Sequence, residues 1–171
     1  IWIAGHSGPE TAEDSRTHFG IYEPGVTQLF PEGHVCDLHP WEANEVPVLL
    51  GAALRHGFLI LGLHLTRPAI EIPDRAALGM GSHFDAAKGA YLLRDYKPGQ
   101  PKGGVVIVQG TSSTANVVKL LPELDKRGLN VKIIAAVSPQ LFDRQPETYR
   151  NATLGPTDRV DVMGITNRSR N

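Results

Sequence analysis

Short apolar runs alternate along this chain with stretches in which apolar residues recur every three or four positions. The runs at 1–4, 34–38, 58–65, 104–109, 131–137 and 160–165 read as β-strands, because each is brief and set off by turn-forming residues. Two of them, Phe58-Leu-Ile-Leu-Gly-Leu63 and Val105-Val-Ile-Val108, are continuously apolar, the pattern of strands covered on both faces. Helical spacing fills 44–56, 114–127 and about 142–150. In the first of these, Val46, Leu49, Leu50, Ala53 and Leu54 form the stripe and Gly57 closes it. With Asn44 as N-cap, Pro47 falls in the first turn, where no amide donor is needed. The second helix carries Val117, Val118, Leu121 and Leu124 and stops at Arg127-Gly128. This alternation predicts an α/β fold with mainly parallel sheets covered by helices.

Residues 68–104 interrupt the pattern with Pro68, Pro73, Pro98, Pro101 and several glycines, and a short hairpin strand is expected at 90–94. A boundary near Ser82 then gives two partial domains, 1–82 and 83–171. The chain starts inside an apolar strand without an initiator Met and stops soon after another strand. Both ends are therefore expected to be cut edges, with strand 1–4 leaving a sheet edge open.

Composition narrows the partners. With 17 basic and 18 acidic residues and a formal charge of −1, the chain has no net field to attract nucleic acid or an anionic membrane. No secretory signal and no apolar span of about 18 residues is present. Cys36 is the only cysteine, so it cannot form an internal disulfide and is expected to pack as a small buried side chain, which suits the cytoplasm. The glycosylation-type triplets at Asn151 and Asn167 read as chance matches.

The loop after the first strand holds the candidate chemistry: His6, Asp14 and His18. Loops at the carboxyl ends of parallel strands are where α/β proteins hold ligands. An imidazole there can move a proton or donate to an oxyanion, and a carboxylate can orient a hydroxyl. The alternative is a solvated loop whose charges pair with one another for about 0–1 kcal/mol each. A metal is not expected, since the spacing of His6 and His18 is neither tight nor helical. A Ser/His/Asp triad lacks its glycine-flanked elbow. Arg67 ends another strand, where it either grips a phosphate or caps the sheet at the surface. His34, His39, His56, His64 and His83 show no convergent partners in the sequence and read as surface or packing histidines. Gly110-Thr-Ser-Ser-Thr114 reads as a helix cap and turn, because it lacks the lysine and the glycine spacing of a phosphate loop.

These residues resemble a known family. His6, Asp14 and His18, at offsets of eight and four, are similar to the transketolase loop THDSIGxGEDGPTH. Pro40-Trp-Glu-Ala-Asn-Glu45 resembles RPADxNE, Leu65-Thr-Arg67 resembles LSR, and Phe142-Asp-Arg-Gln-Pro-Glu-Thr-Tyr-Arg150 resembles FDKQPxxYR. In this order they span the second half of a pyrimidine-binding domain and the start of a transketolase carboxyl-terminal domain.

The resemblance implies an enzyme that moves a two-carbon ketol unit between sugar phosphates, using thiamine diphosphate with Mg or Ca, as a homodimer. It implies that His6 binds the acceptor or its phosphate, that Asp14 holds the sugar C2 hydroxyl, that His18 lies near the aminopyrimidine and assists proton transfer, and that Arg67 binds phosphate. Ser15-Arg16 and Phe19-Gly20 depart from the motif, which has Gly-Pro and Gln-Pro there. The diphosphate- and metal-binding domain and the cofactor-activating glutamate have no counterpart in these residues. The 171 residues alone are therefore expected to bind no cofactor and to have no turnover. Deoxyxylulose-phosphate synthases, dehydrogenase beta subunits and a non-catalytic or split-subunit module that assembles with a partner chain are the competing readings.

Overall fold

The computed structural model describes residues 1–4, 27–66 and 69–166. Among the described residues, seven strands form two sheets. The first sheet contains β1 (Trp2–Ala4), β2 (Val35–Leu38) and β3 (Ile60–His64) in the order β1-β3-β2, with both pairings parallel. The second contains β4 (Ala90–Arg94), β5 (Val105–Gln109), β6 (Lys132–Ala136) and β7 (Val162–Thr166) in the order β4-β6-β5-β7. There β5 runs parallel to β6 and β7, while β4 is antiparallel to β6. The α/β class with mainly parallel sheets holds. Strand 90–94 forms as expected, but it is no hairpin: Tyr91 pairs with Ala135, on a strand far along the chain.

Helix α1 (Glu45–Arg55) follows β2, and α2 (Thr111–Lys126) follows β5. Asn44 occupies the N-cap position of α1 without making a side-chain cap. The Glu45 carboxylate reaches back instead and accepts from the Trp41 amide at 3.1 Å. The buried face of α1 centres on Leu49, Ala52 and Ala53, whereas Leu54 is exposed, so the stripe is rotated from the one its spacing predicts. Helix α2 begins three residues earlier than expected, directly after Gly110, whose φ of 98° a residue with a side chain rarely adopts. It buries Val117, Val118 and Leu121, as predicted. The single helix expected at 142–150 is two, α3 (Pro139–Asp143) and α4 (Glu147–Thr153). Pro146 separates them, having no amide hydrogen to continue the first. Ser138 caps α3 by accepting from the Leu141 amide.

One apolar cluster takes side chains from both sheets, including Leu38, Leu61 and Leu63 on one side and Leu93, Val108 and Ile133 on the other, with Leu49 of α1. Cys36 is fully buried within it, as expected, and burial pushes its thiol up to about 11. No helix among the described residues is long and apolar enough to cross a membrane.

Candidate functional site

His6, Asp14, His18 and Arg67 all lie outside the described residues. The strands that lead into them are described, and they are neighbours. β1 and β3 run parallel with Ala4 opposite His64, so the segments after residues 4 and 66 leave the same end of the sheet. The chain returns at Thr27, whose hydroxyl donates to Asp37 Oδ2 at 2.9 Å, next to that end.

A group of polar side chains collects there. Because side chains alternate along a strand, Asp37 and His39 from the end of β2 share a face with Gly62 and His64 of β3 and Trp2 of β1. Asp37, His39 and His64 are all buried, with 3%, 5% and 3% exposure. His64 Nε2 meets Asp37 Oδ1 at 2.9 Å. The two imidazoles stack with centroids 4.3 Å apart and planes 14° apart, and Trp2 meets His64 edge-on at 6.0 Å. The opposite face of the same strands, Cys36, Leu38, Leu61 and Leu63, belongs to the apolar core. The expectation that His39 and His64 have no convergent partners is thus overturned. The run 58–65 looks uniformly apolar only until Gly62 and His64 are placed on one face.

A second polar group lies between the sheets. Arg75 donates to Glu42 Oε1 at 2.8 and 3.0 Å, to Glu45 Oε1 at 3.1 Å and to the Gly81 carbonyl at 2.8 Å. Tyr91 on β4 donates to Glu45 and accepts from Trp41 Nε1 at 3.0 Å and from Arg75 at 3.1 Å. Arg75 also lies over the Trp41 ring, 5.1 Å from its centroid. Burial pushes the Glu45 carboxyl up to about 7 and the Tyr91 hydroxyl well above its usual value. With Glu45 fully buried and both oxygens occupied, this group clamps α1 to the connector and to β4.

The cofactor implied by the resemblance needs a hard cation, Mg or Ca, which takes oxygen ligands. Among the described residues the one group of three or more ligating side chains is Asp37, His39 and His64, two nitrogens and a carboxylate. That set does not fit a diphosphate-bound Mg or Ca.

No protein-family model matches the chain. Curated relatives do. A transketolase of Geobacillus stearothermophilus is 28% identical over 156 residues, 91% of this chain and 22% of that protein. Transketolase 7 of Craterostigma plantagineum is 29% identical over 168 residues, 95% of this chain and 23% of that protein. Among solved structures, transketolase from Leishmania mexicana superposes with a TM-score of 0.76 at 23% identity over 98% of this chain and 23% of its own. The transketolase of Campylobacter jejuni superposes with a TM-score of 0.72 at 21% identity over 99% of this chain and 24% of its own. The chain thus spans between a fifth and a quarter of the length of these proteins. Nothing in these similarities favours the competing thiamine enzymes. Over nearly all of its length this chain is similar to one stretch of transketolase, the family its loop and its Phe142–Arg150 segment resemble.

Proposed function

We propose that this chain is the substrate-facing part of a transketolase-type transferase that moves a two-carbon ketol unit between sugar phosphates. The observation that carries the reading is that the segments holding all four candidate residues leave adjacent parallel strands at one end of one sheet. His6 and Arg67 then hold the phosphorylated acceptor, Asp14 orients the C2 hydroxyl and His18 faces the cofactor. Thiamine diphosphate and its Mg or Ca are bound through residues other than the described ones. The boundary near Ser82 separates the pyrimidine-type from the carboxyl-terminal-type part. The enzyme works as a cytoplasmic homodimer, and the 171 residues by themselves have no turnover.

The test is an assay of the full-length polypeptide with xylulose 5-phosphate as donor. Asp14→Ala is expected to lower kcat/KM by about a hundredfold, as for loss of one preorganised contact to the reacting substrate. Unchanged activity and unchanged stereopreference would remove Asp14 from the reaction. Arg67→Ala is expected to raise KM for phosphorylated acceptors more than for unphosphorylated ones; equal effects on both would end its phosphate role.

A further inference from the structure

The polar face at the end of β2 and β3 has a use that the transferase reading leaves unclaimed. We infer that Asp37, His39 and His64 form a binding site for a divalent transition metal of the zinc class.

The donor set comes first. The ligating atoms of the three side chains all lie within 4.8 Å of one another. Around a tetrahedral zinc with bonds of roughly 2.0–2.1 Å, ligand atoms lie about 3.4 Å apart. The Asp37–His64 pair is already closer than that, at 2.9 Å, and the His39 ring has to turn out of its stack on His64 to bring the third donor in. Two imidazoles with one carboxylate suit Zn(II), Co(II) or Ni(II), whereas Mg and Ca ask for oxygen. Cys36 takes no part: it lies on the opposite face, and its burial keeps the thiol protonated.

The surroundings carry the inference further. Thr27 holds Asp37 Oδ2, which leaves Oδ1 turned toward His64, the kind of outer hydrogen bond that orients a metal-binding carboxylate. Gly62 lies in register between Asp37 and Trp2. A Cβ there would meet Asp37 Oδ1 at 2.9 Å and His64 Nε2 at 3.3 Å. Both donors therefore approach the β3 main chain this closely only because residue 62 has no side chain. On binding, the ion takes the place of the proton between His64 Nε2 and Asp37 Oδ1. Three protein ligands leave the fourth tetrahedral position to water or to an oxygen of a small molecule. The site stands independently of the transferase reading, because none of its residues has a role there.

The experiment uses the full-length protein, stripped with a chelator and then saturated with magnesium and thiamine diphosphate. It is titrated with zinc by calorimetry, and with cobalt as a coloured reporter. The expected result is one zinc ion per chain that His39→Gln and His64→Gln each lose, a visible cobalt spectrum of tetrahedral type, and a zinc-dependent rise in Tm absent from both variants. Thr27→Val, which keeps all three ligands, is expected to bind zinc roughly 10–100-fold more weakly. Equal zinc stoichiometry and affinity in wild type and His64→Gln would overturn the inference and leave Asp37–His64 as a metal-free ion pair, as would no zinc uptake by the wild type. If the histidine variants do not fold, Thr27→Val decides: wild-type zinc affinity in that variant overturns the site.

Discussion

Two groups in this molecule bury a carboxylate against a nitrogen base, and they are built in opposite ways. Glu45 is answered from several elements at once: Trp41 from the turn before α1, Arg75 from the connector and Tyr91 from β4. Around Asp37 one oxygen is held by Thr27, the other faces His64, and the strand beside them omits a side chain. The first arrangement fastens one sheet to the other. The second gathers a carboxylate and two imidazoles on one face at the ends of β2 and β3. A buried carboxylate is therefore no guide to function by itself; what separates the two is whether its partners come from across the molecule or from one sheet and the turn at Thr27.

The comparison breaks most visibly at Arg75. Arg75→Met leaves Glu42 and Glu45 buried without their cation, and a loss of about 3–5 kcal/mol in urea-induced unfolding is expected.

Acidity offers the next test. The Glu45 carboxyl is raised in the folded protein, from 4.5 to about 7, so between those values the folded state holds a proton that the unfolded state has released. Its contribution to stability therefore falls as pH rises through that window and recovers on acidification, by an amount on the order of a few kcal/mol. Thermal melts at pH 5 and pH 7.5 should show this difference in the wild type and lose it in Glu45→Gln. Equal behaviour of the two proteins would mean that Arg75 keeps Glu45 ionised throughout.

At the Asp37 group, Gly62→Ala is expected to cost about 1–3 kcal/mol by overpacking against Asp37 and His64, read by chemical denaturation. The smallest expected effect is Thr27→Val without metal, about 1 kcal/mol for one lost hydrogen bond. A larger loss there than at Gly62 would mean that the hydroxyl matters more than the missing side chain.

Much of this architecture was legible before any coordinates. The strands, α2 and the burial of Cys36 follow from local spacing, because each depends on neighbours within a few residues. What spacing missed was non-local. Strand 90–94 finds its partner at 133–136, and no turn signal could have announced that. Glu45 looks like an ordinary first-turn acid until Arg75 and Tyr91 arrive from later in the chain. His39 and His64 were passed over because 24 positions of sequence lie between them, yet a signal was present. Asp37 with His39, and Gly62 with His64, are i, i+2 pairs at the ends of two successive strands, and in a parallel sheet such pairs share a face. The residues proposed for the transferase reaction are legible only through their resemblance to a family motif, since nothing in their own spacing separates a site from a charged loop.

One small feature reaches further than its size suggests. The carbonyl of Gly89 accepts from the amides of Val137 and Ser138 at 2.8 and 2.7 Å, and the carbonyl of Val137 accepts from the amide of His39 at 2.7 Å. Gly89 sits at φ 83°, and a Cβ on it would overlap Phe142 N and Ser138 O. A run of main-chain bonds therefore passes from the start of β4, across the turn after β6, to the residue just beyond β2. The main chain of His39 is anchored through this seam to the opposite sheet, so the polar face at the end of the first sheet takes its position from the second as well.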